Sequence, residues 1–315
     1  MTPLQPACPG RRTRIWLLLP VLALLIAPAR LMAAPRVVAS IGPVHSLAAA
    51  VMGNLGDPVQ IVRGYGSPHA YQMRPSDAAN LRDADLILWI GPSLETFLQR
   101  PLEGRNPAAR VLELSALPGL RLLANRKPGV LTADEETHEH VEARGFDAHI
   151  WLNPGNAKRM GAAIADALSA LDPAHAHIYR RNAQQLERRI DAMDRRIASR
   201  LAPVRTTRFV VFHDAFQYFE AYYGLNSVGS VSVSPDRAPS AKRIKALRTA
   251  IEERGVRCVF REPRFESALV RVLLEGTGAR SGVLDPLGSD VTPGPDAYFE
   301  LMDANTDALV ACLGQ

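Results

Sequence analysis

Three histidines and one aspartate at or near the ends of apolar segments are candidate ligands of a metal ion. His69 occurs in SPHAYQMRPSD, His149 in DAHIWLNP, and His213 at the end of the apolar run RFVVF. Asp285 follows the last apolar segment, in GVLDPLG. Neutral imidazole suits Zn²⁺, and three histidines with a carboxylate or a water molecule complete a tetrahedral shell. The four residues therefore predict a zinc site, although no short motif such as HExxH marks it.

The other five histidines have structural or solvated interpretations. His45 is expected at the start of a helix with local hydrogen bonds, and His175 and His177 in the solvated first turn of a long helix. His138 and His140 lie in TADEETHEHVEARGFD, whose many carboxylates and low apolar content are typical of a surface loop. We expect this loop to bind a second metal ion only weakly.

Catalysis is an alternative use of a zinc site. Asp214 and Glu262 could act as bases beside a catalytic zinc ion, which needs an open coordination position and a placed carboxylate. Asp214 is instead expected to orient His213 or to cap the following helix. The chain is therefore predicted not to be an enzyme, with a zinc-dependent hydrolase as the alternative.

A long helix separates the segments that carry these residues. From Pro173 to Leu201 apolar residues recur every three or four positions, and no Gly or Pro follows until Pro203. About 29 residues at ~1.5 Å each make a rod of roughly 43 Å, the width of a domain. We interpret this rod as a strut between two bodies, and a coiled-coil dimerisation helix is the alternative.

Strand-like and helical segments alternate on both sides of the strut, which predicts mainly parallel sheets covered on both faces. Ligands of such sheets bind at the carboxyl ends of strands, so the four polar residues can converge in one cleft. Before the strut we predict strands at 36–41, 59–62, 86–90, 111–114 and 149–152, and helices at 43–52, 76–81 and 157–171. After it we predict strands at 208–212, 227–233, 256–260 and 282–284, and helices at 215–223, 240–253, 266–276 and 295–313.

The predicted fold is α/β, with two lobes of mainly parallel sheets flanked by helices and joined by one long rigid helix. About 280 residues after a leader are enough for two such domains. The predicted boundaries are 35–172 for an N-terminal metal-binding lobe, 173–202 for the linking helix and 203–315 for a C-terminal metal-binding lobe.

Residues 1–34 have the features of a secretory signal peptide. Arg11, Arg12 and Arg14 precede an apolar run at 15–27 that is too short to span a bilayer, and small residues follow it. Cleavage after Ala33 or Ala34 is expected. The mature chain is therefore predicted to lie outside the cytoplasm.

Composition limits the partners and the redox state of that mature chain. The whole chain has 37 basic and 32 acidic residues, but four of the basic residues lie in the leader, which leaves 33 against 32. A net charge near +1 argues against nucleic-acid binding. Cys258 and Cys312 remain after cleavage, and in an oxidising compartment we expect them to form a disulfide.

Seven segments in order resemble the periplasmic zinc-binding component of zinc ABC importers. They are SIGPVHSLAAAVMG, SPHAYQMRPSD, DAHIWLNP, the strut, VFHDAFQYFE, CVFREPRF and LDPLG. The resemblance covers nearly the whole mature chain and implies a metal-binding solute receptor whose two α/β lobes are joined by one rigid helix. It implies that His69, His149 and His213 bind Zn²⁺, with Asp285 or water as the fourth ligand.

The resemblance also implies the partners of the chain. Such a receptor delivers Zn²⁺ in the periplasm to the membrane permease of an ABC importer with its ATPase, and we expect a monomer. Manganese members tend to have a carboxylate where this chain has His213, which favours zinc; a manganese receptor or an adhesin of the same fold are alternatives. Two features depart from the family: the acidic loop is short, and Pro68 stands where some members have a glutamate ligand.

Overall fold

Two β-sheets form the framework of the protein. This computed structural model describes residues 1–2, 34–126, 129–131, 145–232, 239–263 and 268–315. One sheet has the strand order β2-β1-β3-β4 and the other β5-β7-β6-β8-β9. The strands are β1 (Val37–Ala39), β2 (Val59–Gln60), β3 (Leu86–Trp89), β4 (Arg110–Glu113), β5 (Gly129–Val130), β6 (Phe209–His213), β7 (Ser227–Ser232), β8 (Cys258–Arg261) and β9 (Arg280–Val283).

Helices cover these sheets, and the neighbouring strands pair in parallel except for β5 with β7. The predicted α/β fold class with mainly parallel sheets is therefore confirmed. In the described residues the α-helices are α1 (Gly42–Met52), α2 (Pro75–Asp83), α3 (Gln99–Glu103), α4 (Pro154–Leu171), α5 (Ala176–Leu201), α6 (Gln217–Tyr223), α7 (Ala241–Glu253), α8 (Ala268–Leu274) and α9 (Ala297–Leu313).

The predicted strut is α5, extended at both ends by 3₁₀ turns to a helix of 32 residues. Its apolar stripe packs against α4, α1 and α9. Helices α4 and α5 approach closely at Gly161 of α4, where a Cβ would lie 2.8 Å from Leu186 Cδ2. Each buried member of the stripe is at most 2% exposed: Tyr179, Leu186, Ile190, Met193, Ile197 and Leu201.

The inner strands of the second sheet, β6, β7 and β8, are buried, as their apolar residues predict. Along β6 the side chains alternate between two apolar cores. Phe209 and Val211 face the large core that includes α5, whereas Val210 and Phe212 face a smaller core with α7 and α8. This alternation fixes the register of β6 and therefore the direction of His213 at its end.

Two further contacts hold strand ends and helices in place. The Glu95 carboxylate accepts hydrogen bonds from Ser40 Oγ (2.5 Å), which follows β1, and from the N–H groups of Ile90 (3.1 Å) and Gly91 (2.9 Å), which follow β3. The predicted disulfide is present between Cys258 in β8 and Cys312 in α9, with Cα atoms 6.3 Å apart.

The structure corrects the predicted strand at 149–152. Ile150–Leu152 forms a 3₁₀ turn, because the Asp147 carboxylate accepts the His149 N–H and turns the chain toward α4. A short, apolar, buried segment such as Ile150–Leu152 can be either a turn or a strand, and the periodicity of its sequence does not distinguish the two.

A second difference is β5, which the sequence analysis does not predict. Two residues from the first half of the chain add an antiparallel edge strand to the second sheet. Glycine is required at Gly229 of β7, because a Cβ there would lie 2.2 Å from the Gly129 carbonyl oxygen. Residues 3–33 of the predicted signal peptide (1–34) and residues 132–144 of the acidic segment (132–147), with His138 and His140, lie outside the described residues. No described helix is long and apolar enough to cross a membrane.

Candidate metal centre

The three predicted histidines converge from separate parts of the chain. His69 lies in the loop between β2 and α2, His149 precedes the 3₁₀ turn before α4, and His213 is the last residue of β6. One ring nitrogen from each lies within 4.8 Å of the other two. His149 and His213 are 5% and 3% exposed. Three imidazoles are thus directed at one buried point, as a tetrahedral zinc shell requires.

Carboxylates orient two of the three rings. His149 Nδ1 lies 2.7 Å from Asp147 Oδ1, and His213 Nδ1 lies 2.8 Å from Glu262 Oε1. Such partners fix the ring and leave the opposite nitrogen, Nε2, as the ligand. In the described part of the chain, the Nε2 atoms of His69 and His213 are buried and have no hydrogen-bond partner. Leaving a buried polar atom unpaired costs about 1–3 kcal/mol, and a bound cation would remove that cost.

Burial also keeps two of the imidazoles neutral. Burial and, to a smaller extent, the neighbouring rings of His149 and His213 together lower the pKa of His69 to about 2. Burial lowers the pKa of His149 to about 3. Burial alone would lower the pKa of His213, but Glu262 raises it above the ordinary value. His69 and His149 therefore need not lose a proton at neutral pH before they bind a metal ion.

A buried ion-pair cluster lies next to the histidines. Arg126 contacts the carboxylates of Asp214 and Glu220, and the three side chains are 16%, 7% and 5% exposed. Burial opposes the charge of Arg126, but Asp214 and Glu220 raise its pKa. Burial and, to a smaller extent, the charge of Asp214 together raise the pKa of Asp147 to about 8. A cation bound to His149 would favour the ionised form of Asp147.

The predicted role of Asp214 was wrong. Its carboxylate pairs with Arg126, while Glu262 contacts His213 and no side chain caps α6. Sequence reasoning also missed Asp147 and Arg126. Asp147 could have been found, because an acid two residues before a candidate ligand can reach its ring; Arg126 gave no comparable signal, because its partners are about 90 residues away.

A cavity of about 30 Å³ lies at the convergence point, lined by the three histidines, Glu262 and Asp285. It has room for one ion or one water molecule. The Asp285 carboxylate accepts hydrogen bonds from the N–H groups of Leu287 (2.9 Å) and Ser289 (2.5 Å). Asp285 thus lines the cavity and organises its own loop.

His45, His175 and His177 lie away from the metal centre, as predicted. His45 is buried, with Nε2 3.0 Å from the Pro58 carbonyl oxygen. His175 Nδ1 lies 2.7 Å from Asp172 Oδ2, and the His175 side chain is one-third exposed. His177 is exposed in the first turn of α5. None of the three belongs to the cluster of convergent ring nitrogens.

Comparison with known proteins agrees with this geometry. Residues 37–312 match the profile of the family "Zinc-uptake complex component A periplasmic" (ZnuA). The high-affinity zinc uptake system protein ZnuA of Brucella suis is 40% identical over 306 residues, covering 89% of this chain and 92% of that protein. The Yersinia pestis protein of the same name is 34% identical over 303 residues, covering 92% and 95%.

A solved structure shows the same fold. The crystal structure of a ZnuA superposes with a TM-score of 0.74 at 24% identity, covering 89% of this chain and 99% of that one. The family match spans both sheets, the linking helix and all three convergent histidines. The chain therefore belongs to the ZnuA family, the periplasmic zinc-binding receptors of zinc uptake systems.

Proposed function

We propose that the protein is a high-affinity zinc receptor of the periplasm, which delivers Zn²⁺ to the permease and ATPase of an ABC importer. The observation that carries this proposal is the convergence of three imidazole nitrogens on one small buried cavity. The names of the Brucella suis and Yersinia pestis relatives support it. Residues 1–34 would export the chain as a signal peptide, and the mature receptor would act as a monomer.

His69, His149 and His213 are the proposed ligands, and Asp285 or water the fourth. A carboxylate has lone pairs beyond the two that accept from Leu287 and Ser289, so Asp285 can hold its loop and still approach an ion. Nitrogen donors favour Zn²⁺ over Mn²⁺, which prefers oxygen and higher coordination. Zinc is therefore the proposed cargo.

The surroundings support a receptor rather than a hydrolase. A hydrolytic site needs a carboxylate that can take a proton from zinc-bound water. Three nearby acids are occupied by other partners, Asp147 by His149, Glu262 by His213 and Asp214 by Arg126, and Asp285 is the proposed fourth ligand and not a base. We also propose the predicted division into lobes 35–172 and 203–315 with linking helix 173–202, to which β5 adds an edge strand in the second sheet.

Metal titration of the chelator-stripped protein tests the function. We expect one tight zinc site per chain, and alanine at His69, His149 or His213 should each weaken it at least tenfold. Zn²⁺ should displace Mn²⁺ in competition. Unchanged zinc affinity in His213→Ala, or a parent protein that prefers Mn²⁺, would contradict the assignment.

A further inference from the structure

We propose that Tyr65 and Asp290 form a latch across the mouth of the metal cavity and set the lifetime of bound Zn²⁺. The inference rests on the proposed receptor function. The Tyr65 hydroxyl donates a hydrogen bond to Asp290 Oδ1, although 225 residues separate them in sequence. Tyr65 lines the cavity with His69 and is 42% exposed, and Asp290 is exposed as well. Their bond therefore lies at the solvent side of the cavity.

The Asp290 side of the latch is firmly anchored. Asn305 in α9 is 3% exposed; its Oδ1 accepts the Asp285 N–H (2.8 Å), and its Nδ2 donates to the Asp285 carbonyl oxygen (2.7 Å). Trp151 Nε1 donates to the Pro286 carbonyl oxygen (2.8 Å). With the Asp285 carboxylate bonds to the next residues, this loop is fixed from three directions.

The Tyr65 side of the latch is a loop that contains a glycine in the left-handed conformation. Gly64 has a φ of +53° and no atom within 4 Å of where a Cβ would lie. Two backbone hydrogen bonds in this stretch join residues three positions apart, and both are long: Gly66 N to Arg63 O (3.2 Å) and Ala70 N to Ser67 O (3.3 Å). The exposed Tyr65 hydroxyl thus ties a glycine-containing loop to an anchored one.

The position of His69 connects the latch to zinc release. His69 lies four residues after Tyr65 in the same loop, whereas His213 is held in the strand β6 and His149 by a buried carboxylate. Release of the ion requires at least one imidazole to withdraw, and His69 is the one of the three that lies in the same loop as the latch residue Tyr65. Breaking the latch should therefore speed dissociation more than it changes association.

Zinc transfer from the loaded protein to excess chromophoric chelator, followed by stopped flow, tests the latch. Tyr65→Phe keeps the ring and removes the hydroxyl, and we expect release to be roughly three- to tenfold faster. Asp290→Ala should match it, and the double variant should be no faster than either single one. Asp290→Asn keeps an acceptor oxygen and should stay near the parent. Tyr222→Phe is the control, because it removes the Tyr222–Asp194 hydrogen bond (2.8 Å) away from the cavity.

Each outcome bears on one hypothesis. Unchanged release in Tyr65→Phe, additive effects in the double variant, or slower association instead of faster release would overturn the latch. Equal acceleration in Asp290→Asn and Asp290→Ala would also overturn it, because loss of charge and not of the hydrogen bond would then be the cause. A parent protein without tight zinc binding would refute the receptor function itself. Both residues are exposed, so the variants should fold.

Discussion

His213 and Asp285 make different contributions to the metal centre. His213 is buried, directed by Glu262, and has an Nε2 atom without a hydrogen-bond partner among the described residues. Asp285 lies at the same cavity, but its oxygens already accept two backbone N–H groups. Water replaces a carboxylate on zinc more readily than it replaces an imidazole, so the two residues should differ in measured affinity.

We predict that His213→Ala weakens zinc binding more than Asp285→Ala does. The first change removes a nitrogen donor, whereas the second removes at most a replaceable oxygen and loosens a loop. Competition titration of both variants against a chelator of known affinity gives the order, and Zn²⁺ should remain preferred over Mn²⁺ in Asp285→Ala. The reverse order would make Asp285 a dominant ligand.

Glu262 is the residue that positions His213. Glu262→Ala should lower zinc affinity about 10- to 100-fold, because the ring loses its fixed tautomer and direction. Glu262→Gln retains an oxygen that can accept from Nδ1, so we expect it to recover most of the affinity. Calorimetry of both variants measures the difference. A glutamine variant as weak as the alanine variant would indicate that charge, not orientation, is what Glu262 provides.

At the scale of elements, Arg126 joins a segment of the first half of the chain to Asp214, which follows β6, and to Glu220 in α6. Replacing Arg126 with Met would leave the Asp214 and Glu220 carboxylates buried without their counter-ion, at a cost of about 3–5 kcal/mol. The matched control is Arg196→Met in α5, whose ion pair with Asp303 is 49% and 33% exposed. Because solvent screens that pair, its loss should cost at most ~1 kcal/mol.

Urea unfolding of the parent, Arg126→Met and Arg196→Met measures these costs. The Arg126 variant should unfold at markedly lower urea concentration and the control near the parent. Equal midpoints for the two variants would show that the buried cluster contributes no more than an exposed pair.

Glu95 predicts a pH dependence at the ends of β1 and β3. Burial raises its pKa to about 7, against the opposing hydrogen bonds from Ser40, Gly91 and Ile90. Between the ordinary value of 4.5 and about 7, the folded protein holds a proton that the unfolded chain has lost. Unfolding releases that proton, so this group makes stability fall as pH rises through the window.

Glu95→Gln cannot titrate and should remove this contribution. The difference in unfolding free energy between parent and variant should change by up to ~1.4 kcal/mol per pH unit within the window. Unfolding curves at several pH values from 4 to 8 measure it, with Glu103→Gln at an exposed position of α3 as the control. A constant difference across that range would contradict the prediction.

Sequence periodicity predicts the long elements well and the short ones poorly. The stripe of α5 and the apolar runs of β3 and β6 specify their burial, because long repeats leave few alternatives. The turn at Ile150–Leu152 depends on a single side-chain bond from Asp147, and β5 exists through its pairing with β7. The convergence of His69, His149 and His213 could be predicted from strand ends and family resemblance, whereas the side chains that orient two of these rings depend on tertiary contacts and could be predicted only in part.

On the scale of the whole molecule, α9 connects the two halves of the chain. The Tyr298 N–H donates to Ser46 Oγ (2.9 Å) in α1, and the Tyr298 hydroxyl donates to the Trp151 carbonyl oxygen (2.9 Å). At its other end α9 carries Cys312, bonded to Cys258 in β8. Glu262, which contacts His213, directly follows β8. Helix α9 is therefore bonded both to the segment that carries His149 and to the strand that precedes Glu262.

The final prediction concerns this disulfide. It closes a loop with a sequence separation of 54 residues. The chain-entropy model gives ~4 kcal/mol of stabilisation for such a loop, through restriction of the unfolded chain. The Cys258→Ser, Cys312→Ser double variant should therefore unfold at lower denaturant concentration than the oxidised parent. Reductant should lower the parent to the same level and leave the variant unchanged.

Zinc affinity should respond much less than stability to the loss of this bond. β8 lies between β6 and β9 in the sheet, and seven parallel register pairs with these neighbours keep the end of β8, and hence Glu262, in place. We expect the double variant to bind zinc within about threefold of the parent, less than 1 kcal/mol, because the disulfide acts mainly on the unfolded state. Calorimetry under conditions where both proteins are folded checks this. A tenfold loss would instead mean that the disulfide holds the folded metal centre in shape.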